Sequence, residues 1–99
     1  MKLYEIAHSR TGDKGNTSTI SVIAYVKSDF TLLCEKLTVE KVKRQFEPIG
    51  VYQVERFEVP SLCALNFVLT GALGGGVTRS LALDPHGKTL SGLMLEIEI

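Results

Sequence analysis

Runs in which apolar or β-branched residues recur at every second position alternate along this chain with runs in which they recur every three to four. That switching of period restricts the fold to strands and helices packed as layers. Thr17 to Val26 is the clearest run of the first kind, with Thr17, Thr19, Ile20, Val22, Ile23 and Val26, residue types that suit a pleated, half-buried surface. Ahead of it, Lys2 to His8 alternates and leans to strand through Leu3, Tyr4, Ile6 and His8. Ser9 to Asn16 between them reads as a polar loop with two glycines, so the pair predicts a hairpin with a wide connection.

The helical period takes over at Ser28, an N-cap by residue type, where Phe30, Leu33, Cys34 and Leu37 fall on one face. Thr38 is expected to cap a second helix whose stripe is Val39, Val42 and Phe46, with Glu40–Arg44 and Lys43–Glu47 as exposed i,i+4 pairs. Pro48 and Gly50 stop it, and Val51 to Val59 reads as a strand ended by Pro60. Ser61 is expected to cap a third helix, with Leu62, Leu65, Leu69, Ala72 and Leu73 as one stripe and Cys63, Phe67 and Val68 elsewhere on its circumference. A helix apolar nearly all round is buried or covered by another subunit, which predicts a homo-oligomer, dimer or larger. Val77 to Leu83 reads as a strand and Asp84 to Gly87 as a turn. In the tail, Leu90, Leu93, Met94 and Ile97 fit a helix while Leu95 to Ile99 alternates; Gly92 weakens the helix, so a terminal strand is expected. Four or five strands with two or three helices make an α+β, two-layer sandwich with a mainly antiparallel sheet and helices on one face.

The 99 residues allow one domain spanning 1–99. Eleven basic residues balance eleven acidic ones, which gives no reason to expect nucleic acid or an anionic membrane as partner. The start of the chain is too short and polar for a signal peptide, and no apolar stretch approaches the ~20 residues of a spanning helix. Cys34 and Cys63 stand far apart without metal-type spacing, and read as reduced core thiols of a cytoplasmic protein.

Few residues carry chemistry. Ala82 to Thr89 ends Gly-Lys-Thr like a phosphate-binding loop, but Ala82 stands where the first glycine belongs, Pro85 lacks an N–H, and too few residues follow for the rest of such a domain. It reads as a turn. In the first loop, Arg10 and Lys14 bring positive charge, Gly12 and Gly15 free the backbone, and Ser9, Thr11 and Asn16 offer hydrogen bonds, a set that suits a phosphate or carboxylate. Asp13 argues the other way, since it could hold Arg10 or Lys14 in a self-satisfied turn. Gly74, Gly75 and Gly76, followed by Thr78, Arg79 and Ser80, form either a second anion-binding segment or a helix terminus leading into a strand. His8 is a weak candidate for a proton-transferring group, with no sequence-near partner. His86 reads as a solvated turn residue, and Asn66 either braces a loop or touches a ligand. No metal-ligand cluster and no cofactor motif is present.

The segments HSRTGDKGN, LCALNFVL and GALGGGVTRSLALDPHGKTL resemble the C-terminal domain of the acyclic terpene utilisation protein A (AtuA)-like family, over roughly His8 to Ile97. The resemblance implies a ferredoxin-like α+β fold, for which a βαββαβ-like arrangement is expected. It also implies an association with catabolism of branched terpenoid acids and related acyl thioesters. In the family this domain follows a much larger N-terminal one. Here Met1 lies close before His8, so a stand-alone small subunit working with a separately encoded large AtuA-like chain is expected. Arg10, Gly12, Asp13, Lys14, Gly15 and Asn16 match the first family loop, and Asn66, Gly74, Gly75, Gly76, Thr78, Arg79 and Ser80 match the second signature. The implied ligand is a small anionic or acyl molecule. The alternatives are a free-standing enzyme on an acyl thioester or carboxylate, with His8 moving the proton, and a purely structural homo-oligomeric module.

Overall fold

A computed structural model describes residues 1–14, 17–71 and 88–99. Its strands are β1 (Ala7–Lys14), β2 (Thr17–Ala24), β3 (Gln53–Val59) and β4 (Ala64–Thr70), and its α-helices are α1 (Asp29–Lys36), α2 (Val39–Phe46) and α3 (Lys88–Leu95). Short 3-10 turns occupy Leu3–Glu5, Glu47–Ile49 and Pro60–Leu62. The strands form one sheet in the order β1-β2-β4-β3 with every neighbour antiparallel. This is the expected α+β sandwich, although the described elements run ββααββα rather than βαββαβ.

Alternation decides what each strand buries. Ser18, Ile20, Val22 and Ala24 of β2 and Leu65, Phe67 and Leu69 of β4 point to the helices and are buried. Leu33 and Leu37 of the α1 region, Val42 and Phe46 of α2, and Leu90 and Met94 of α3 meet them there, each fully buried. Burial of each such side chain contributes roughly 1.5–3 kcal/mol. Hydrogen bonds fix the layers laterally. Ser9 Oγ on β1 donates to the Ser91 carbonyl of α3 (3.3 Å), Thr11 Oγ1 bonds Ser91 Oγ, and Gln45 Nε2 of α2 donates to the Leu93 carbonyl (2.8 Å). Arg56 on β3 donates from Nη1 to the carbonyls of Cys34 (2.9 Å) and Leu37 (3.1 Å), satisfying acceptors that the end of α1 leaves open. Met1's ammonium meets Glu98 at 2.7 Å; the hydrogen bond and charge of that group hold the Glu98 carboxyl below the usual carboxylate range.

Several expected elements are corrected. Ser9 to Lys14 is strand, not loop, because its polar side chains find partners: Ser9 and Thr11 bond α3 while the backbone pairs β2 from Ala7↔Ala24 to Lys14↔Thr17. Lys2 to His8 is divided between a 3-10 turn and the start of β1 at Ala7. Thr38 caps α2, its Oγ1 accepting from the Lys41 N–H at 3.2 Å, but Ser28 makes no capping bond. The helix expected after Ser61 is the central strand β4, entered through Cys63 at φ 53. Ala64 and Val68 on its open face are apolar as well as Leu65, Phe67 and Leu69 on its buried face, so the run is nearly continuous and mimics a buried helix. Of the residues that pointed to self-association, Leu65, Phe67 and Leu69 are buried under the helices, Leu62 is exposed, and Ala72 and Leu73 lie outside the described residues. The tail is helix, since Leu90 and Met94 bury against the core one turn apart, and its alternation is realised only in the bridge Lys2↔Glu98. The expected strand Val77 to Leu83 and turn Asp84 to Gly87 lie outside the described residues.

Two stability predictions follow from single positions. A Cβ built on Gly92, inside α3, meets nothing within 4 Å, so Gly92→Ala should stabilise the protein by about 0.5–1 kcal/mol in urea unfolding. Ser18 is fully buried and its hydroxyl has no hydrogen-bond partner among the described residues. Ser18→Ala should therefore leave stability unchanged or raise it by about 1 kcal/mol, since a desolvated, unpaired group is removed. A loss of that size in the same assay would contradict the account.

Candidate functional site

The face of the sheet turned away from the helices is set by the other half of the alternation. The antiparallel register puts Arg10, Ser21, Asn66 and Phe57 in one row across β1, β2, β4 and β3, and His8, Ile23, Ala64 and Val59 in the next. All described helices pack on the opposite face. The two rows and Leu62 of the β3–β4 connection enclose an open hollow of about 390 Å³, lined by His8, Arg10, Ser21, Ile23, Leu62, Ala64 and Asn66.

Its polar side is ordered. Ser21 Oγ donates to Asn66 Oδ1 at 2.8 Å, which orients the amide so that its Nδ2–H₂ is the group left to donate. Arg10 is exposed and forms no ion pair among the described residues. His8 stacks on Tyr25 with ring centroids 5.3 Å apart and planes 19° from parallel. The apolar side consists of Ile23, Ala64 and the 65% exposed Leu62. The same end of the sheet exposes Tyr25 and Val26, and Phe57 is exposed on the open face. Among the described residues no group of three His, Cys, Asp or Glu side chains could hold a metal ion. No described helix is long and apolar enough to cross a membrane. Cys34 packs against the core away from the hollow, its thiol pushed above the ordinary range by burial and, less, by Glu58.

His8 and Arg10 from one stretch of sequence and Asn66 from another are thus brought to one place. Asn66 both braces the sheet, through Ser21, and lines the hollow. Gly12 sits in β1 opposite Thr19, and among the described residues nothing lies within 4 Å of where its Cβ would be. Asp13 and Lys14 end β1 by their backbone. Gly15, Asn16, Gly74, Gly75, Gly76, Thr78, Arg79 and Ser80 lie outside the described residues. A helix starts at Lys88, whereas the sequence predicts a strand for the tail. Ser21, Ile23, Leu62 and Ala64 were not anticipated. Their only signal is register, which no single segment carries.

These features define an α+β domain whose antiparallel sheet carries its helices on one face and a mixed polar and apolar hollow on the other. The chain belongs to the AtuA ferredoxin-like domain family, whose family model matches residues 1–99, its whole length. No curated protein and no solved structure matches it.

Proposed function

We propose that this chain is a small ligand-binding module that works with a separately encoded, large AtuA-like chain in the catabolism of terpenoid or other branched acyl thioesters and carboxylates. The observation that carries the reading is the convergence of His8, Arg10, Ser21 and Asn66 on one hollow beside the apolar Ile23, Leu62 and Ala64. Donors with no partner among the described residues and a guanidinium fit an oxygen-rich, anionic group, and the apolar wall fits an acyl body. The exposed Tyr25, Val26 and Phe57 around it supply an apolar rim on which a larger chain docks and closes the open side.

Mixing the protein with the large AtuA-like chain at micromolar concentration should give one co-eluting species by sizing and light scattering. Two independent peaks would remove the partner from the proposal. Self-association through the same rim, the structural alternative, would show in that run as mass rising with concentration of this chain alone. A second reading, a free-standing enzyme, is favoured by one observation: His8 lines the same hollow as Arg10, where it could exchange a proton with a bound ligand. Turnover by the isolated chain that is lost in His8→Ala and kept in His86→Ala would establish it.

A further inference from the structure

We propose that the hollow selects a monocarboxylate with a compact apolar body, its carboxylate held by Arg10 and Asn66 and its body laid on Ile23, Ala64 and Leu62. This rests on the ligand-binding reading above and names the ligand class.

The donor set argues for a single negative charge. The polar side offers the Arg10 guanidinium and the Asn66 Nδ2–H₂, and Asn66 is locked with its oxygen turned to Ser21. A planar guanidinium grips a carboxylate with two parallel N–H bonds. A phosphate dianion needs more charge, or a nest of free backbone N–H groups. The hollow lies over β1, β2 and β4; β2 and β4 are paired on each side, so their backbone N–H groups are committed to the sheet. Among the described residues, Arg10 is the one Lys or Arg that lines it.

The remaining wall argues for the apolar body. Ile23 and Ala64 lie one row along the sheet from Ser21 and Asn66, so a ligand whose head meets Asn66 lays its body on them. Leu62, 65% exposed on a 3-10 turn, stands at the rim, where an apolar ligand would cover it. A site of about 390 Å³ falls near the lower end of the ~300–1,000 Å³ usual for small-molecule sites, which matches a compact body.

The test titrates the full chain with cyclohexylacetate, cyclohexylacetamide, acetate and inorganic phosphate, followed by amide shifts of His8, Ser21 and Asn66. Cyclohexylacetate should move these resonances saturably, and its neutral amide and acetate should each bind at least ~10-fold more weakly. Arg10→Ala should weaken cyclohexylacetate by a similar factor, with Arg10→Lys recovering part. Leu62→Ala should weaken cyclohexylacetate but not acetate. Both side chains are exposed, and an unchanged spectrum elsewhere shows the variants folded. Equal binding of the amide, or phosphate binding as tightly at the same residues, would overturn the assignment. If no probe moves these resonances while the large AtuA-like chain does, the carboxylate inference fails and the docking reading stands. If neither moves them, both fail.

Discussion

Phe67→Ala is expected to remove about 3–5 kcal/mol of stability, the cost of emptying a filled aromatic site. Phe67 is fully buried in the central strand β4, between the sheet and the helices. A domain of this size has roughly 5–15 kcal/mol in total, so the variant should lose a large share of it and melt some tens of degrees lower. Phe57→Ala is the internal control. It changes the same residue type on the neighbouring strand, at a position 51% exposed on the other face, and should cost no more than about 1 kcal/mol. Urea unfolding of both variants checks the contrast, and similar losses would contradict the assignment of the two faces.

Gly71→Ala is expected to cost about 2–4 kcal/mol, from a strained backbone and a forced overlap together. Gly71 has φ 105, and a Cβ there would come within 2.5 Å of the Gly50 carbonyl oxygen and 2.9 Å of the Tyr52 ring. The carbonyl cannot swing aside cheaply, because Gly50 is itself held at φ 105 by its N–H bond to Glu47. The Tyr52 N–H is fixed as well, donating to the Thr70 carbonyl at 3.0 Å. Gly12→Ala, with nothing within 4 Å of the new methyl group, should fall within about 0.5 kcal/mol of the parent in the same unfolding assay.

The candidate site was partly legible. Arg10 and His8 are visible as a cation and an imidazole in a polar stretch, and Asn66 as a polar residue in an apolar one. Their common location was not, because they come from β1 and β4, which are joined only through β2. The polar stretch itself reads as a loop. Ser9 and Thr11 have low apolar content and neighbouring glycines, and only the partner that α3 supplies at Ser91 makes them good strand residues. Leu62 to Leu73 reads as a helix for the opposite reason, since it is apolar at both the helical and the strand period.

By itself, the amino-acid sequence determined the class of the fold. The β-branched strand read from Thr17 to Val26 stands as Thr17–Ala24, the strand read from Val51 to Val59 as Gln53–Val59, and the stripes of the two middle helices and the Thr38 cap also stand. It also determined the family, through motifs that run along nearly the whole chain. These are local properties, set within a few residues by side-chain shape, hydrogen bonding and period. The tertiary structure decided what depends on neighbours distant in the chain: that the ambiguous apolar run is the central strand, that the tail is a helix against β1, and that Arg10, Ser21 and Asn66 share a row. The physical reason is that strand pairing and burial are made between segments far apart in sequence. An apolar run takes the conformation that its partners in the core complete, and a polar side chain acquires a site only when register sets it beside others.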